Sequence, residues 1–167
     1  MRADIARNKT NVVTLTLWFH EAAPCWSRCE GTRMRVLIVE DEPVIGMELE
    51  DAVTEAGHEV IGWAAGHSSA IALAEARSPE LAFVDLRLRD GDTGHGISQQ
   101  LAERGVIVVL TTAQADQLVD VEHLLGVMPK PYLTETVVEV LNYATQTQHG
   151  TASEPVRPAG LQRLSVP

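Results

Sequence analysis

Short apolar runs recur along the middle of the chain, and they have the length and β-branched content of buried strands. Four of them are unbroken, and a weaker fifth, His58–Ala64, is interrupted by Gly62. The four unbroken runs are Val36–Val39, Leu81–Val84, Val106–Leu110 and Val127–Pro129. The pattern therefore predicts five strands.

Helical periodicity separates most of these runs. Between the first two, apolar residues repeat at helical spacing from Ile45 to Ala56, with Pro43 suited to the first turn and Gly57 to the end. The same spacing predicts three further helices. Ser68 or Ser69 would cap the first, the second would bury Ile97 and Leu101, and the third would start near Thr134. Residues 114–125 are a short, poor helix candidate. Repeated βα units predict an α/β fold, a parallel sheet with helices on both faces.

Polar residues follow four of the predicted strands. Glu40 and Asp41 come after the first strand, Asp85 after the third, Thr112 after the fourth and Lys130 after the fifth. In an open parallel sheet the carboxyl ends of the strands share one crevice, where ligands bind. Acids, a hydroxyl and a lysine at one place suit a divalent cation and a phosphoryl group.

These motifs, in this order, give the chain a resemblance to a known family. Residues 36–42 (VLIVEDE), the strand-borne Asp85, the pair Thr112-Ala113 and the pair Lys130-Pro131 resemble the receiver domain of two-component response regulators. The resemblance covers about residues 34–146. It implies a flavodoxin-like (βα)5 doubly wound sheet of five parallel strands in the order 2-1-3-4-5.

The resemblance also implies a magnesium site. Asp41 and Asp85 would bind Mg²⁺ directly, Glu40 would act through water, and the backbone carbonyl of Arg87 would supply a further oxygen. Mg²⁺ prefers octahedral oxygen ligation and keeps several waters, so one or two carboxylates suffice. The metal would offset the repulsion among the acids and draw charge from an incoming phosphoryl group.

The implied phosphoryl chemistry centres on Asp85, which would be the phosphoacceptor and form an aspartyl phosphate. Lys130 would pair with one phosphoryl oxygen as a point charge. Thr112 would donate its hydroxyl to another, and the small Ala113 would leave room for the group. Val127 stands where many receivers carry a switching aromatic residue, so we expect signal output by another route.

We therefore expect a stand-alone response regulator that receives its phosphoryl group from a sensor histidine kinase or a histidine phosphotransfer protein. It would signal to an unidentified downstream protein or act as a phosphate sink. One alternative is a haloacid-dehalogenase-like phosphatase, because Asp90-Gly91-Asp92-Thr93 superficially matches that signature. The other is a binding module that is never phosphorylated.

Charge and composition limit the remaining classes. The formal net charge of −10 arises within residues 34–146, because both ends carry a small excess of basic residues. Such an acidic domain is not expected to bind nucleic acid, and no apolar run is long enough to span a membrane.

Cys25 and Cys29 both lie in residues 1–33, an extension expected to be disordered or not native. They cannot form a disulfide framework for the core, which favours a reducing, cytoplasmic location. The polar residues 147–167 are expected to be a disordered tail.

Overall fold

The computed structural model describes residues 33–91, 93–114, 124–150 and 154–163. The predicted N-terminal extension, with Cys25 and Cys29, lies outside these ranges except for Arg33. Most of the weak helix candidate at 114–125 lies outside them as well.

A five-stranded sheet in the order β2-β1-β3-β4-β5 forms the centre of the fold. Every neighbouring pair of these strands is parallel. Their bounds are Arg35–Val39 (β1), Glu59–Ala64 (β2), Leu81–Asp85 (β3), Ile107–Thr112 (β4) and Gly126–Pro129 (β5). The predicted fold class and strand order are confirmed. β3 is buried along its whole length, as its unbroken apolar run predicts.

Four helices of the described chain cover the two faces of the sheet. They are Pro43–Glu55 (α1), His67–Arg77 (α2), Gly94–Glu103 (α3) and Thr134–His149 (α4). One core cluster combines Leu49 and Val53 of α1 with Leu141 of α4. A second, on the opposite face, combines Ala70 of α2 with Ile97 of α3. The two faces are thus packed as the apolar spacing predicts.

The start of α2 differs from the prediction that Ser68 or Ser69 caps it. The helix begins at His67, and the Ser69 hydroxyl donates to the carbonyl oxygen of Gly66 at 2.9 Å. The backbone N–H of His67, which as a first-turn amide has no partner within the helix, donates instead to Asp90 Oδ2 at 2.9 Å. A carboxylate distant in sequence therefore satisfies an N-terminal amide of the helix, a role that local sequence does not reveal.

The C-terminal segment also differs from the prediction. We expected residues 147–167 to be disordered, but α4 continues to His149 and residues 154–163 lie against the outer edge of β5. Leu161 is 2% exposed and belongs to the same core cluster as α1 and α4. The structure therefore differs from the prediction at residues 154–163, because one buried leucine and main-chain pairing hold a segment that has no other buried residue.

Candidate functional site

The carboxyl ends of β1 and β3 bring three acids together. Val39 and Val84 are register partners at the ends of these strands, so Glu40 follows β1 beside Asp85, the last residue of β3. Carboxylate oxygens of Glu40, Asp41 and Asp85 all lie within 4.8 Å of one another. Glu40 is fully buried and Asp85 is 6% exposed. The acids predicted from the strand ends do meet in one crevice.

Lys130 reaches this cluster from the edge strand β5. Its Nζ donates to Asp85 Oδ2 at 2.7 Å and to Glu40 Oε2 at 2.8 Å. Its backbone N–H donates to the carbonyl oxygen of Thr112 at 2.7 Å, which extends the pairing of β4 and β5 to the lysine. The ammonium group is thereby fixed between two carboxylates.

Burial and charge shift the pKa values of these groups in opposing ways. Burial raises the pKa of the Glu40 carboxyl above its ordinary value, and the hydrogen bond from Lys130 offsets only part of that shift. For Lys130, burial acts to lower the pKa, but the hydrogen bonds and charges of Asp85 and Glu40 together raise it. The lysine therefore stays charged at neutral pH, and one ammonium faces three acids. A divalent cation would balance this excess of negative charge.

Asp41 lies at the rim of the cluster. Its carboxylate pairs with Arg89 of the β3–α3 loop, with Arg89 Nε at 3.2 Å from Asp41 Oδ2. The Arg89 side chain is 77% exposed, so this pair contributes little to stability and opens at small cost. The Asp41 side chain is itself 12% exposed, so a ligand that enters from solvent would reach it by opening this pair.

Thr112 lies at the end of β4, in register with Pro129 and next to Lys130. Its hydroxyl accepts the backbone N–H of Gln114 at 3.0 Å, and the structure shows no bond from this hydroxyl to the acids. Ala113, the next residue, is exposed. The two residues are near the crevice, and their roles toward a phosphoryl group stay predictions.

Arg87 contacts the site through its backbone and its side chain. Its backbone N–H donates to Asp85 Oδ1 at 3.2 Å. Its guanidinium donates to Gln114 Oε1 at 2.6 Å, which links the loops that follow β3 and β4. The role of its carbonyl as a metal ligand stays a prediction.

Sequence reasoning missed Trp63 as part of this site. Its indole Nε1 donates to the backbone carbonyl oxygen of Glu40 at 2.6 Å, although the ring is 37% exposed. Trp63 pairs with Ile38 near the end of β2, one strand away from the acids. Its position near a strand end was the available signal. Its acceptor is a backbone carbonyl, and a bond to the backbone leaves no pattern in the sequence.

Gly94 allows α3 to start directly behind the phosphoacceptor candidate. A Cβ atom at this position would collide with the carbonyl oxygen of Asp85, and it would lie 2.6 Å from the Cα of Leu86. Only glycine permits this approach without a shift of the backbone. The chain that carries Asp85 is therefore held against the first turn of a helix.

Asp90, the nucleophile of the phosphatase alternative, has a different environment. Its carboxylate accepts bonds from the Thr93 hydroxyl at 2.6 Å and from the His67 backbone N–H at 2.9 Å. The hydrogen bond from Thr93 is the main cause that lowers the pKa of the Asp90 carboxyl, and the bond from the His67 backbone N–H is the next. Asp90 does not belong to the acid cluster that the structure describes. It serves as a helix cap and loop contact.

The acid cluster fits a hard divalent cation. All three of its groups are carboxylates, the donor type that Mg²⁺ prefers, and they are close enough for one ion. Asp41 is the member of the cluster nearest to solvent, with its side chain 12% exposed, whereas the Asp85 and Glu40 side chains are 8% and 1% exposed. Elsewhere, no helix of the described ranges is long and apolar enough to cross a membrane.

Comparison with known proteins agrees with the fold and with the motifs. The response regulator receiver domain family matches residues 36–141, which is more than half of the chain. The solution NMR structure of the PhyR receiver domain from Erythrobacter litoralis superimposes with a TM-score of 0.64 at 30% identity, covering 75% of this chain and 96% of that domain.

Two curated relatives show how the chain compares with longer proteins. The phyllosphere-induced regulator PhyR of Methylorubrum extorquens is 37% identical over 98 residues, which are 58% of this chain and 35% of that protein. The transcriptional regulatory protein PdtaR of Mycobacterium tuberculosis is 32% identical over 115 residues, which are 66% of this chain and 56% of that protein. The chain thus spans about a third to just over half of these relatives. It belongs to the response regulator receiver domain family.

Proposed function

We propose that the chain is a phosphoryl-accepting receiver in which Asp85 is the phosphoacceptor. A sensor histidine kinase or a histidine phosphotransfer protein would donate the group, and a change in affinity for a protein partner, or a phosphate-sink role, would follow. The observation that carries the proposal is the convergence of Glu40, Asp41, Asp85 and Lys130 in one crevice. We place this reaction in the cytoplasm, where histidine kinases present their phosphoryl groups.

The chemistry follows from the groups present. An Asp85 carboxylate oxygen would attack the phosphorus of a phosphohistidine, the P–N bond would break, and the imidazole would leave and take up a proton. Lys130, already bonded to Asp85 Oδ2, would pair with a phosphoryl oxygen as charge builds there. Bound Mg²⁺, held by Asp41 and Asp85 with Glu40 behind them, would supply further positive charge to the transferred group.

Thr112 would complete the change of state. Its hydroxyl now accepts the N–H of Gln114, and rotation toward the acids would let it donate to a phosphoryl oxygen. That rotation would move the end of β4, which pairs with β5 beside Lys130. A partner that binds the two arrangements with different affinity would read the change.

Phosphorylation by a small phosphodonor tests the assignment. The full chain, incubated with Mg²⁺ and acetyl phosphate, should gain the mass of one phosphoryl group in a hydroxylamine-sensitive linkage. Asp85→Asn should abolish the gain. The matched control Asp90→Asn should keep it. Labelling that persists in Asp85→Asn and disappears in Asp90→Asn would favour the phosphatase alternative.

Metal binding separates the receiver from a binding module that is not phosphorylated. Trp63 bonds to the backbone of Glu40, so its fluorescence should respond to Mg²⁺. The measurement needs a background in which the other two tryptophans, Trp18 and Trp26, are replaced by phenylalanine. Asp41→Asn should weaken the response at least about tenfold, since a direct ligand charge is lost. A chain that shows neither this response nor phosphoryl uptake would act as a binding module only.

A further inference from the structure

Residues 154–163 form an additional partner for the edge strand β5. Gln162 and Val127 exchange both backbone hydrogen bonds, with N–O distances of 2.8 and 2.9 Å, in an antiparallel bridge. β4 pairs with the other side of β5, so this bridge uses the side that faces outward. The C-terminal segment thus pairs with the sheet edge through one residue pair, directly after a turn in which the Leu161 N–H donates to the Pro158 carbonyl oxygen at 3.0 Å.

Leu161 is the apolar anchor of this segment. Its side chain is 2% exposed and enters the core cluster beside β5. Gly126 makes the approach possible, because a Cβ atom there would lie 2.8 Å from both the Gln162 carbonyl oxygen and the Leu161 Cγ atom. The edge of β5 therefore has a socket shaped by the absence of a side chain.

Arg157, four residues before Leu161, is the polar anchor. Its Nη1 donates to the carbonyl oxygen of Leu125 at 2.9 Å, and its guanidinium lies 5.3 Å from the centre of the Tyr143 ring. The backbone carbonyl requires a hydrogen-bond donor and the aromatic face favours a cation, and a guanidinium group meets both requirements. The residues between and before the two anchors alternate between exposed and partly buried, and Val156 is 90% exposed.

We propose that the edge of β5 is a binding groove for a short peptide segment that turns and then pairs with Val127, and that residues 154–163 occupy it in cis. The expected competitor is a segment of a partner protein that carries a basic residue four positions before a leucine-like residue. This chemistry follows from the contacts that residues 154–163 make. A cation contacts the Leu125 carbonyl and the Tyr143 ring, an apolar side chain fills the socket, and the main chain pairs with Val127. The inference does not depend on phosphorylation of Asp85.

Binding in trans tests the groove. The probe is a fluorescently labelled synthetic peptide with the sequence of residues 154–163, EPVRPAGLQR. The full chain with Leu161→Asp, which expels the tail, should bind this peptide at least about tenfold more tightly than the unaltered chain, whose tail competes at an effective concentration near the millimolar range. The amide resonances of Gly126 and Val127 should shift when the peptide binds. A control peptide with aspartate at the leucine position should not bind.

Each other outcome overturns the proposal. A Leu161→Asp chain that folds but does not bind the peptide shows that the edge is not a groove. Equal binding of the peptide by both chains shows that the tail does not occupy the groove. If Leu161→Asp does not fold, Gln162→Pro removes only the N–H that pairs with Val127 and should bind the peptide more tightly than the unaltered chain. If that variant also fails to fold or to bind, the segment is a fixed part of the domain.

Discussion

Replacement of Lys130 by methionine should expose how strongly the acid cluster opposes folding. The ammonium bonds to both Asp85 and Glu40, and the Lys130, Asp85 and Glu40 side chains are 13%, 8% and 1% exposed. Methionine keeps most of the side-chain length and removes the charge. The variant would leave two nearly buried carboxylates without their common counter-ion.

The expected loss can be worked out from these distances. Two carboxylates within 4.8 Å of each other repel by roughly 3 kcal/mol at the effective dielectric constant of about 20 that suits protein sites. Removal of one partner from a buried ion pair costs about 3–5 kcal/mol in other proteins. Because Asp85 keeps the hydrogen bond from the Arg87 backbone N–H, we expect a loss at the lower end of this range, so that Lys130→Met lowers the free energy of unfolding by about 3 kcal/mol.

Urea unfolding near neutral pH, with EDTA present, measures this loss. Glu40→Gln in the Lys130→Met background removes the buried excess charge and should restore more than half of the stability, while Mg²⁺ should stabilise Lys130→Met more than the unaltered chain. A loss of under about 1 kcal/mol, or no recovery in the double variant, would show that the cluster is solvated well enough to need no counter-ion.

Two further predictions concern pH and the backbone behind the site. Burial, and secondarily the charge of Arg33, lowers the pKa of His58 below its ordinary 6.5. The unfolded chain therefore takes up a proton that the folded chain resists, and the free energy of unfolding should fall as pH decreases below about 6.5. His58→Gln should flatten this pH dependence in urea titrations at several pH values. An unchanged slope of the free energy of unfolding against pH would assign the dependence to other groups. Gly94→Ala should lower the free energy of unfolding by about 2 kcal/mol and weaken phosphoryl uptake by Asp85, because its Cβ meets the Asp85 backbone. Gly96 lies two residues along the same helix, and a Cβ there would have no atom within 4 Å apart from its chain neighbours and the backbone of its own helix. Gly96→Ala should therefore be neutral or slightly stabilising, and equal effects of the two alanines would refute the collision.

The strands and the acid cluster were predictable because their signals lie in the side chains. Runs such as Leu81–Val84 are apolar at every position, which marks strands that are buried on both faces. Once parallel strands are assigned, the residues that follow them must share one edge of the sheet. Asp85 and Lys130 lie 45 positions apart in sequence, yet the strand order brings them within hydrogen-bond distance.

The features that the sequence did not reveal depend on backbone groups or on single anchors. The Trp63 indole bonds to a main-chain carbonyl, and Asp90 caps a helix 23 positions away, at His67. Leu161 is the one buried residue among residues 154–163, and it forms no periodic pattern that could mark it as buried. Composition describes the average of a segment, whereas burial of one side chain depends on the surface that receives it.

The pairing of Gln162 with Val127 also affects where the domain can be cut. The family match ends at residue 141, but a recombinant fragment trimmed there loses Leu161 and leaves the outer N–H and C=O groups of β5 open. Unprotected edges of this kind invite pairing between copies and aggregation at high concentration. Preparations that extend through residue 163 retain their own edge protection, so we expect them to be more soluble than fragments that end at the recognised domain boundary.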